Sequence, residues 1–221
     1  MDHEPIVFVV DDDPAMRESL RWLIESVGIS VTTFADAGEF LDKCDPTAPG
    51  CLVLDVRMPG MSGLDLQETL EERGISTPIV VITGYGEVPM AVRALKHGAV
   101  DFIEKPFSDQ QILDSIRQAL EVDRKRRSEV READQLHDLF SLLTPREQQV
   151  MDLVVMGKSN KEAAKALGVS PKTIEVHRAH LMDKLRVRSL AELIRVSLDY
   201  RRSRELNAGP VDPAKGKPPV G

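Results

Sequence analysis

Short apolar, β-branched runs at Ile6–Val10, Val31–Phe34, Cys51–Leu54, Ile79–Ile82 and Phe102–Ile103 punctuate the first 107 residues, and helical patterns fill the intervals. Strands alternating with helices predict a parallel sheet covered on both faces. Between the first two runs, Met16, Leu20, Leu23, Ile24 and Val27 form the apolar stripe of an amphipathic helix. Asp13 caps that helix, Pro14 opens it and Gly28 closes it. From Asp109 the rhythm Ile112, Ile116, Ala119, Leu120 continues raggedly through Val130, Ala133, Leu136 and Phe140 without glycine or proline, so residues 109–141 read as largely helical. Heptad positions would put Asp123, Arg126 and His137 in the seam, which predicts one extended helix or two broken ones rather than a strong coiled coil. Beyond Thr144 the pattern is helix, helix, a tight turn at Gly168, and helix, with Ala163, Ala164 and Leu167 inward on the middle one. From Arg201 glycine and proline accumulate, and residues 201–221 are expected to be a disordered tail.

Charge changes the picture. Residues 1–107 carry 19 acidic and 8 basic side chains, residues 108–143 carry 8 and 6, and residues 144–221 carry 9 and 15. An acidic front joined to a basic back points to a polyanion partner for the second part and a separate need for carboxylates in the first. Two cysteines, Cys44 and Cys51, are too few for a disulfide framework or a thiolate zinc site. No run approaches the roughly 20 apolar residues that span a bilayer, and MDHEP lacks a basic region followed by an apolar one. A soluble, cytoplasmic protein with no membrane partner is expected.

The polar residues fall at one place on the predicted sheet. Asp11 and Asp12 follow the first strand, Asp55 the third, Thr83 the fourth and Lys105 the fifth, all at carboxyl ends, where open α/β sheets bind ligands. In a flavodoxin-like order 2-1-3-4-5 the first and third strands are neighbours, so Asp12 and Asp55 converge. Carboxylates gathered this way repel unless a hard cation lies among them, and a few protein oxygens plus water is the coordination style of Mg²⁺. An aspartate beside Mg²⁺ can attack an activated phosphoryl group whose oxygens Lys105 and Thr83 neutralise and hydrogen-bond. Read alone, Asp11-Asp12-Asp13 would be a solvated turn and helix cap, and Asp13 is assigned only that. The further signals at strand ends, Asp55, Thr83 and Lys105, raise the other two.

VVDDDP, LDVRMPGMSGLD, VVITGYG and GAVDFIEKPF resemble, in order and spacing, the signature blocks of two-component response-regulator receiver domains. The resemblance implies that Asp55 is the phosphoacceptor, that Asp11, Asp12, Asp55 and the backbone carbonyl of Arg57 hold Mg²⁺, and that Thr83 and Lys105 bind the phosphoryl oxygens. It also implies a cis Lys105–Pro106 peptide. Phe102 stands where the family carries its switch aromatic, a role compatible with a plain core phenylalanine. Arg57 and Tyr85 occupy positions that tune acyl-phosphate hydrolysis in the family.

In the basic part, a helical wheel at about 100° per residue turns Ile174, Leu181 and Leu185 inward, with His177 and Arg178 on the flanks of that stripe. Lys172, Val176, Ala179 and Asp183 then point out, with Glu175 and His180 at the margins. Lys172 and Thr173 suit phosphates, whereas Glu175 and Val176 suit base edges, a glutamate for cytosine N4 and a valine for a thymine methyl. A three-helix bundle without DNA would show similar periodicity. LTPREQQV, Asn160-Lys161 and SPKTIEVHRAHLMDKL resemble the LuxR/NarL-type output domain, and GEVPMAV with LFSLLTPREQQV is similar to the FixJ/StyR/TodT-like branch. Lys161 joins the DNA-contact set on that basis. Glu175 and Ala179 stand where NarL-like members carry basic residues, so a target sequence cannot be borrowed. The helix at about 190–198 would be an output dimer contact or a fourth bundle helix.

The expected organisation is a receiver over residues 1–122, a helical linker over 123–141, a helix-turn-helix domain over 142–200 and the tail. The expected function is control of transcription by a DNA-binding protein that a sensor histidine kinase phosphorylates. Its further partners are double-stranded promoter DNA, RNA polymerase and, on phosphorylation, a second copy. It is not expected to be a turnover enzyme, because no histidine or extra glutamate lies at a strand end beside Asp55. Slow self-dephosphorylation fits better. The rivals are a Mg²⁺-dependent phosphotransferase or phosphatase and a scaffold whose output binds protein or RNA.

Overall fold

A computed structural model describes residues 4–45 and 47–207. The chain divides into two compact units, one ending at Arg127 and the other starting at Ser128. In the first, β1 (Ile6–Val10), β2 (Ser30–Phe34), β3 (Gly50–Asp55), β4 (Ile79–Thr83) and β5 (Asp101–Glu104) form a parallel sheet in the order β2-β1-β3-β4-β5. β1 coincides with its apolar run, and the other four strands extend one or two residues beyond theirs because backbone pairing continues past the last apolar side chain, as at Thr83 opposite Glu104. The helices α1 (Pro14–Ser26), α2 (Ala37–Lys43), α3 (Gly63–Glu72) and α4 (Val88–Lys96) connect them.

Strands buried on both faces read as continuous apolar runs, and every residue of β3 and β4 is buried. One face of the sheet packs Phe8, Val10, Leu52, Leu54 and Val81 against Phe34, Phe40, Leu66 and Leu70. The other packs Val7, Val9, Val53, Val80 and Ile82 against Leu20, Ile24, Ile112 and Ile116. The Asp13 carboxylate caps α1 by accepting from the Ala15 N–H at 2.9 Å.

The helix α5 (Asp109–Ser141) is one continuous element of 33 residues rather than two broken ones. Its residue Asp123, expected to begin a linker, is buried and accepts from Gly50 N at 2.9 Å, Arg126 Nη2 at 2.6 Å and Arg127 Nε at 2.7 Å. Arg127 also donates to the carbonyls of Thr47 and Ala48. These contacts carry the first compact unit past the expected boundary at residue 122. Gly50 has φ 151°, and a Cβ there would lie 1.8 Å from the Ile6 carbonyl oxygen, so only glycine presents its N–H here.

In the second unit, α6 (Pro145–Val155), α7 (Asn160–Leu167), α8 (Pro171–Lys184) and α9 (Leu190–Asn207) enclose Val150, Val154, Ala163, Ala164, Ile174, Leu181 and Leu193. The last residues of α5 join this core: Phe140 stacks on Tyr200 with centroids 3.9 Å apart. Capping boxes open α6 (Thr144, Glu147) and α7 (Ser159, Glu162), and Gly168 ends α7 at φ 66°. The final helix corrects the sequence reading. It runs on to Asn207 instead of ending near 198, and Arg201, expected to start the tail, lies within it and pairs with Asp152 at 2.9 Å. A neighbouring element supplied that partner, which the local composition does not reveal. Residues 208–221 of the expected tail lie outside the described residues.

Candidate functional site: a buried acidic pocket and an exposed helix face

The parallel sheet brings the ends of β1, β3 and β5 together. Lys105 Nζ bridges Asp11 Oδ2 at 2.8 Å and Asp55 Oδ1 at 2.7 Å, joining residues 94 and 50 positions apart in the chain. Asp11 and Asp55 are 1% and 4% exposed, so their charges face little water. The second oxygen of Asp55 accepts from Arg57 N at 2.7 Å, and that of Asp11 from Asp13 N at 2.9 Å. Lys105–Pro106 is cis.

Burial pushes the Asp55 carboxyl above the usual aspartate range; Lys105 and the Arg57 N–H oppose that shift and Asp11 reinforces it. Burial also acts against the charged form of Lys105, but two carboxylates outweigh it and hold the ammonium above its ordinary value. Two buried carboxylates thus share one cation, and the pocket keeps an excess of negative charge.

Asp12 does not join this pair. It is exposed and lines a cleft of about 750 Å³ with Arg57, Met58, Met90 and Arg93. The pair that meets at Lys105 is Asp11 and Asp55, whereas Asp12, in the bend just past β1, lines the adjoining cleft with Val56 and Arg57. Among the described residues no three His, Cys, Asp or Glu side chains are already grouped around a metal position. The oxygen donors at hand, with the surplus negative charge, fit a hard divalent cation that keeps several waters.

Thr83 is fully buried, and its hydroxyl accepts from Tyr85 N at 3.2 Å and donates to Tyr85 O at 3.3 Å. The Arg57 guanidinium lies 4.7 Å above the exposed Tyr85 ring. Phe102 is half-buried against the apolar cluster beside β4. Two supporting residues escaped the sequence reading. Arg17 donates to the Asp11 carbonyl at 2.6 Å and pins the turn after β1. Gly63 lies so close to the acceptor strand that a Cβ would be 2.1 Å from the Asp55 carbonyl oxygen. A glycine just after the Ser62 helix cap was the available signal for it.

In the second unit α8 has the orientation that the wheel predicts. Ile174, Leu181 and Leu185 are at most 2% exposed, whereas Lys172, Glu175, Val176, Ala179, His180 and Asp183 face solvent. Thr173 is half-buried with its hydroxyl 2.8 Å from that of Ser170. Lys161 is exposed near the start of α7. Glu147, buried at the α6 cap, accepts from Lys184 on α8 at 2.7 Å, and Arg178 on α8 donates to Asn160 on α7 at 2.7 Å. Neither clasp was visible beforehand, since each joins residues far apart in the chain.

The response regulator receiver domain family matches residues 7–117, and the luxR family of bacterial regulatory proteins matches residues 141–197. The chain belongs to the response regulators with a luxR-type output domain. Nodulation protein W of Bradyrhizobium diazoefficiens is 53% identical over 87% of this chain and 85% of its own. Response regulator protein TodT of Pseudomonas putida strain F1 is 43% identical over 92% of this chain and 90% of its own. The solved structure of response regulator StyR is similar at a TM-score of 0.84, with 50% identity over 90% of this chain and all of that one. A receiver joined to a luxR-type DNA-binding domain makes this response regulator a transcription regulator of the two-component kind, with a phosphodonor kinase and DNA as the implied partners. No helix among the described residues is long and apolar enough to cross a membrane.

Proposed function

We propose that this response regulator accepts a phosphoryl group on Asp55 from the histidine of a sensor kinase in the cytoplasm, dimerises, and binds promoter DNA through α8 to control transcription with RNA polymerase. The observation that carries the reading is the single lysine shared by two buried carboxylates, one of which, Asp55, is held above its ordinary range by burial. Asp55 contributes an oxygen that bonds to phosphorus as the donor's P–N bond breaks and the imidazole leaves with the electron pair. Lys105 then neutralises a phosphoryl oxygen, and the Arg57 N–H steadies the oxygen of Asp55 that does not react. Asp11, Asp12, Asp55 and the Arg57 carbonyl are the residues that would hold Mg²⁺, which supplies charge neutralisation to the transferring group when bound.

The aspartyl phosphate carries about one more negative charge than the carboxylate it replaces; its oxygens draw the Thr83 hydroxyl off the Tyr85 backbone, and Phe102 turns into the space released. The surface formed by α4, β5 and α5 changes and pairs with a second copy. Lys172, Thr173 and Lys161 meet phosphates; Glu175, Val176, Ala179 and His180 face the bases. Water slowly removes the phosphoryl group. A turnover phosphatase is disfavoured because the aspartate beside Asp55, Asp11, is already held by Lys105, and Glu104, the glutamate that the structure does place at a strand end, is exposed and accepts from Gly86 N.

Intact-mass spectra after treatment with a small phosphodonor and Mg²⁺ test the acceptor. The wild type is expected to gain one phosphoryl mass and Asp55→Asn none; an undiminished adduct in Asp55→Asn overturns the assignment. Light scattering with beryllofluoride and Mg²⁺ is expected to show a doubled mass, and an unchanged mass overturns the dimerisation step.

A further inference from the structure

The basic residue Arg178 lies on the recognition helix but not on its exposed face. At about 100° per residue it is roughly 40° from the buried Ile174 and roughly 160° from the exposed Val176. It is half-buried, it forms no ion pair among the described residues, and its Nη1 donates to Asn160 Oδ1 at 2.7 Å. Asn160 is a fixed anchor. It is the first residue of α7, whose start is closed by the Ser159–Glu162 capping box and whose far end is tied to α6 by Arg146 donating to the Leu167 carbonyl at 2.6 Å.

Within α8 itself the buried side chains are Ile174 and Leu181, two apolar contacts on one line that resist rotation about the helix axis weakly. A directional bond from the flank of that line to a fixed amide supplies the missing restraint. Lys184 gripping Glu147 does the same at the carboxyl end, where the helix is farthest from the residues assigned to bases.

We propose that Arg178 is a positioning residue for base recognition: through Asn160 it sets the rotation of α8, and it does not touch DNA. The inference rests on the reading of α8 as the recognition helix. A guanidinium spent on a neutral amide in the protein adds nothing to phosphate neutralisation, but its loss lets the helix rotate and blurs which side chain meets which base.

The test uses the full-length chain, phosphorylated as above, with a duplex enriched by the wild type from a randomised pool and a scrambled duplex of the same length. Arg178→Met and Asn160→Ala are each expected to lower the ratio of specific to scrambled affinity about tenfold, the loss of one hydrogen bond to a charged group. The double variant is expected to lose no more than either single one, and Asn160→Asp to retain the wild-type ratio. The slope of log affinity against log salt stays at the wild-type value throughout. A slope smaller by about 1 in Arg178→Met, with Asn160→Ala unchanged, places Arg178 on a phosphate and overturns the proposal, as does a wild-type ratio in Asn160→Ala. Should Arg178→Met fail to fold, the pair Asn160→Ala and Asn160→Asp decides alone. Glu175→Ala and Val176→Ala separate the underlying reading: an unchanged base preference in both rejects α8 as the reader, whatever Arg178 does.

Discussion

Asp55 in the receiver and Glu147 in the output domain are both buried carboxylates that accept from a lysine ammonium at 2.7 Å, yet their proton affinities move in opposite directions. Burial is the largest influence on each and pushes both upward. At Glu147 it is overcome by Lys184 and by the backbone N–H and hydroxyl of Thr144, so the carboxyl falls to about 2. At Asp55 the lysine is shared with Asp11, and the carboxyl stays above its usual range. One carboxylate is satisfied and therefore structural. The other shares its one cation with a second carboxylate and keeps the unbalanced charge that the proposed metal and phosphoryl chemistry would use.

The contrast can be broken most severely at a third buried carboxylate. Asp123 takes three N–H donors, two from arginines, and Asp123→Ala leaves those donors and a buried charge imbalance. Breaking such a network is expected to cost the receiver about 3–5 kcal/mol. Urea unfolding of the full chain should show an early transition in that variant, while the Phe140–Tyr200 stack of the output domain survives.

At Glu147 the comparison becomes one of pH. Its folded-state affinity for protons is below the unfolded value, so its stabilisation is present above about 4.5 and is lost as pH falls toward about 2. Glu147→Gln should destabilise the output domain by about 2–3 kcal/mol at pH 7, and the gap from the wild type should close across that window. Asp55 has the reverse sign: its raised folded-state affinity means that Asp55→Asn should add stability at neutral pH and lose that advantage in acid. Thermal melts of both variants from pH 7 to pH 2.5 measure the two trends. Parallel trends would remove the distinction drawn above.

Smaller effects separate reading from positioning on α8. Glu175→Ala is expected to relax base preference at one position per half-site by about 1–3 kcal/mol in a competition over randomised half-sites. Lys172→Ala should weaken binding to every duplex alike and reduce the salt slope by ~1.

How legible these features were follows from distance along the chain. The apolar stripe of α1 through Ile24, the Asp13 cap, the turn at Gly168 and the inward face of α8 depend on residues about three helical turns apart or less, and the structure has them where the pattern placed them; Val27, the last residue of the predicted stripe, lies past the helix end and is exposed. The Asp11–Lys105–Asp55 cluster depended on strand order. The order was inferable from parallel topology, but which of two adjacent aspartates meets Lys105 was not, because that turns on the bend after β1, which Arg17 pins from α1. A glycine after the Ser62 cap was a signal for Gly63, but neither it nor Gly50 told locally which carbonyl it must approach.

The sequence by itself determined the alternation of strands and helices, the separation of acidic and basic halves and the set of chemically competent residues, because periodicity and composition are local properties. Tertiary structure alone decided that Asp11 rather than Asp12 shares Lys105 with Asp55, that α9 continues to Asn207, and that Arg178, on the flank of the buried stripe, meets Asn160. Each of those outcomes depends on a partner brought from elsewhere in the fold. Burial, which sets the charge balance of Asp55 and Glu147, exists only once the chain has closed around them.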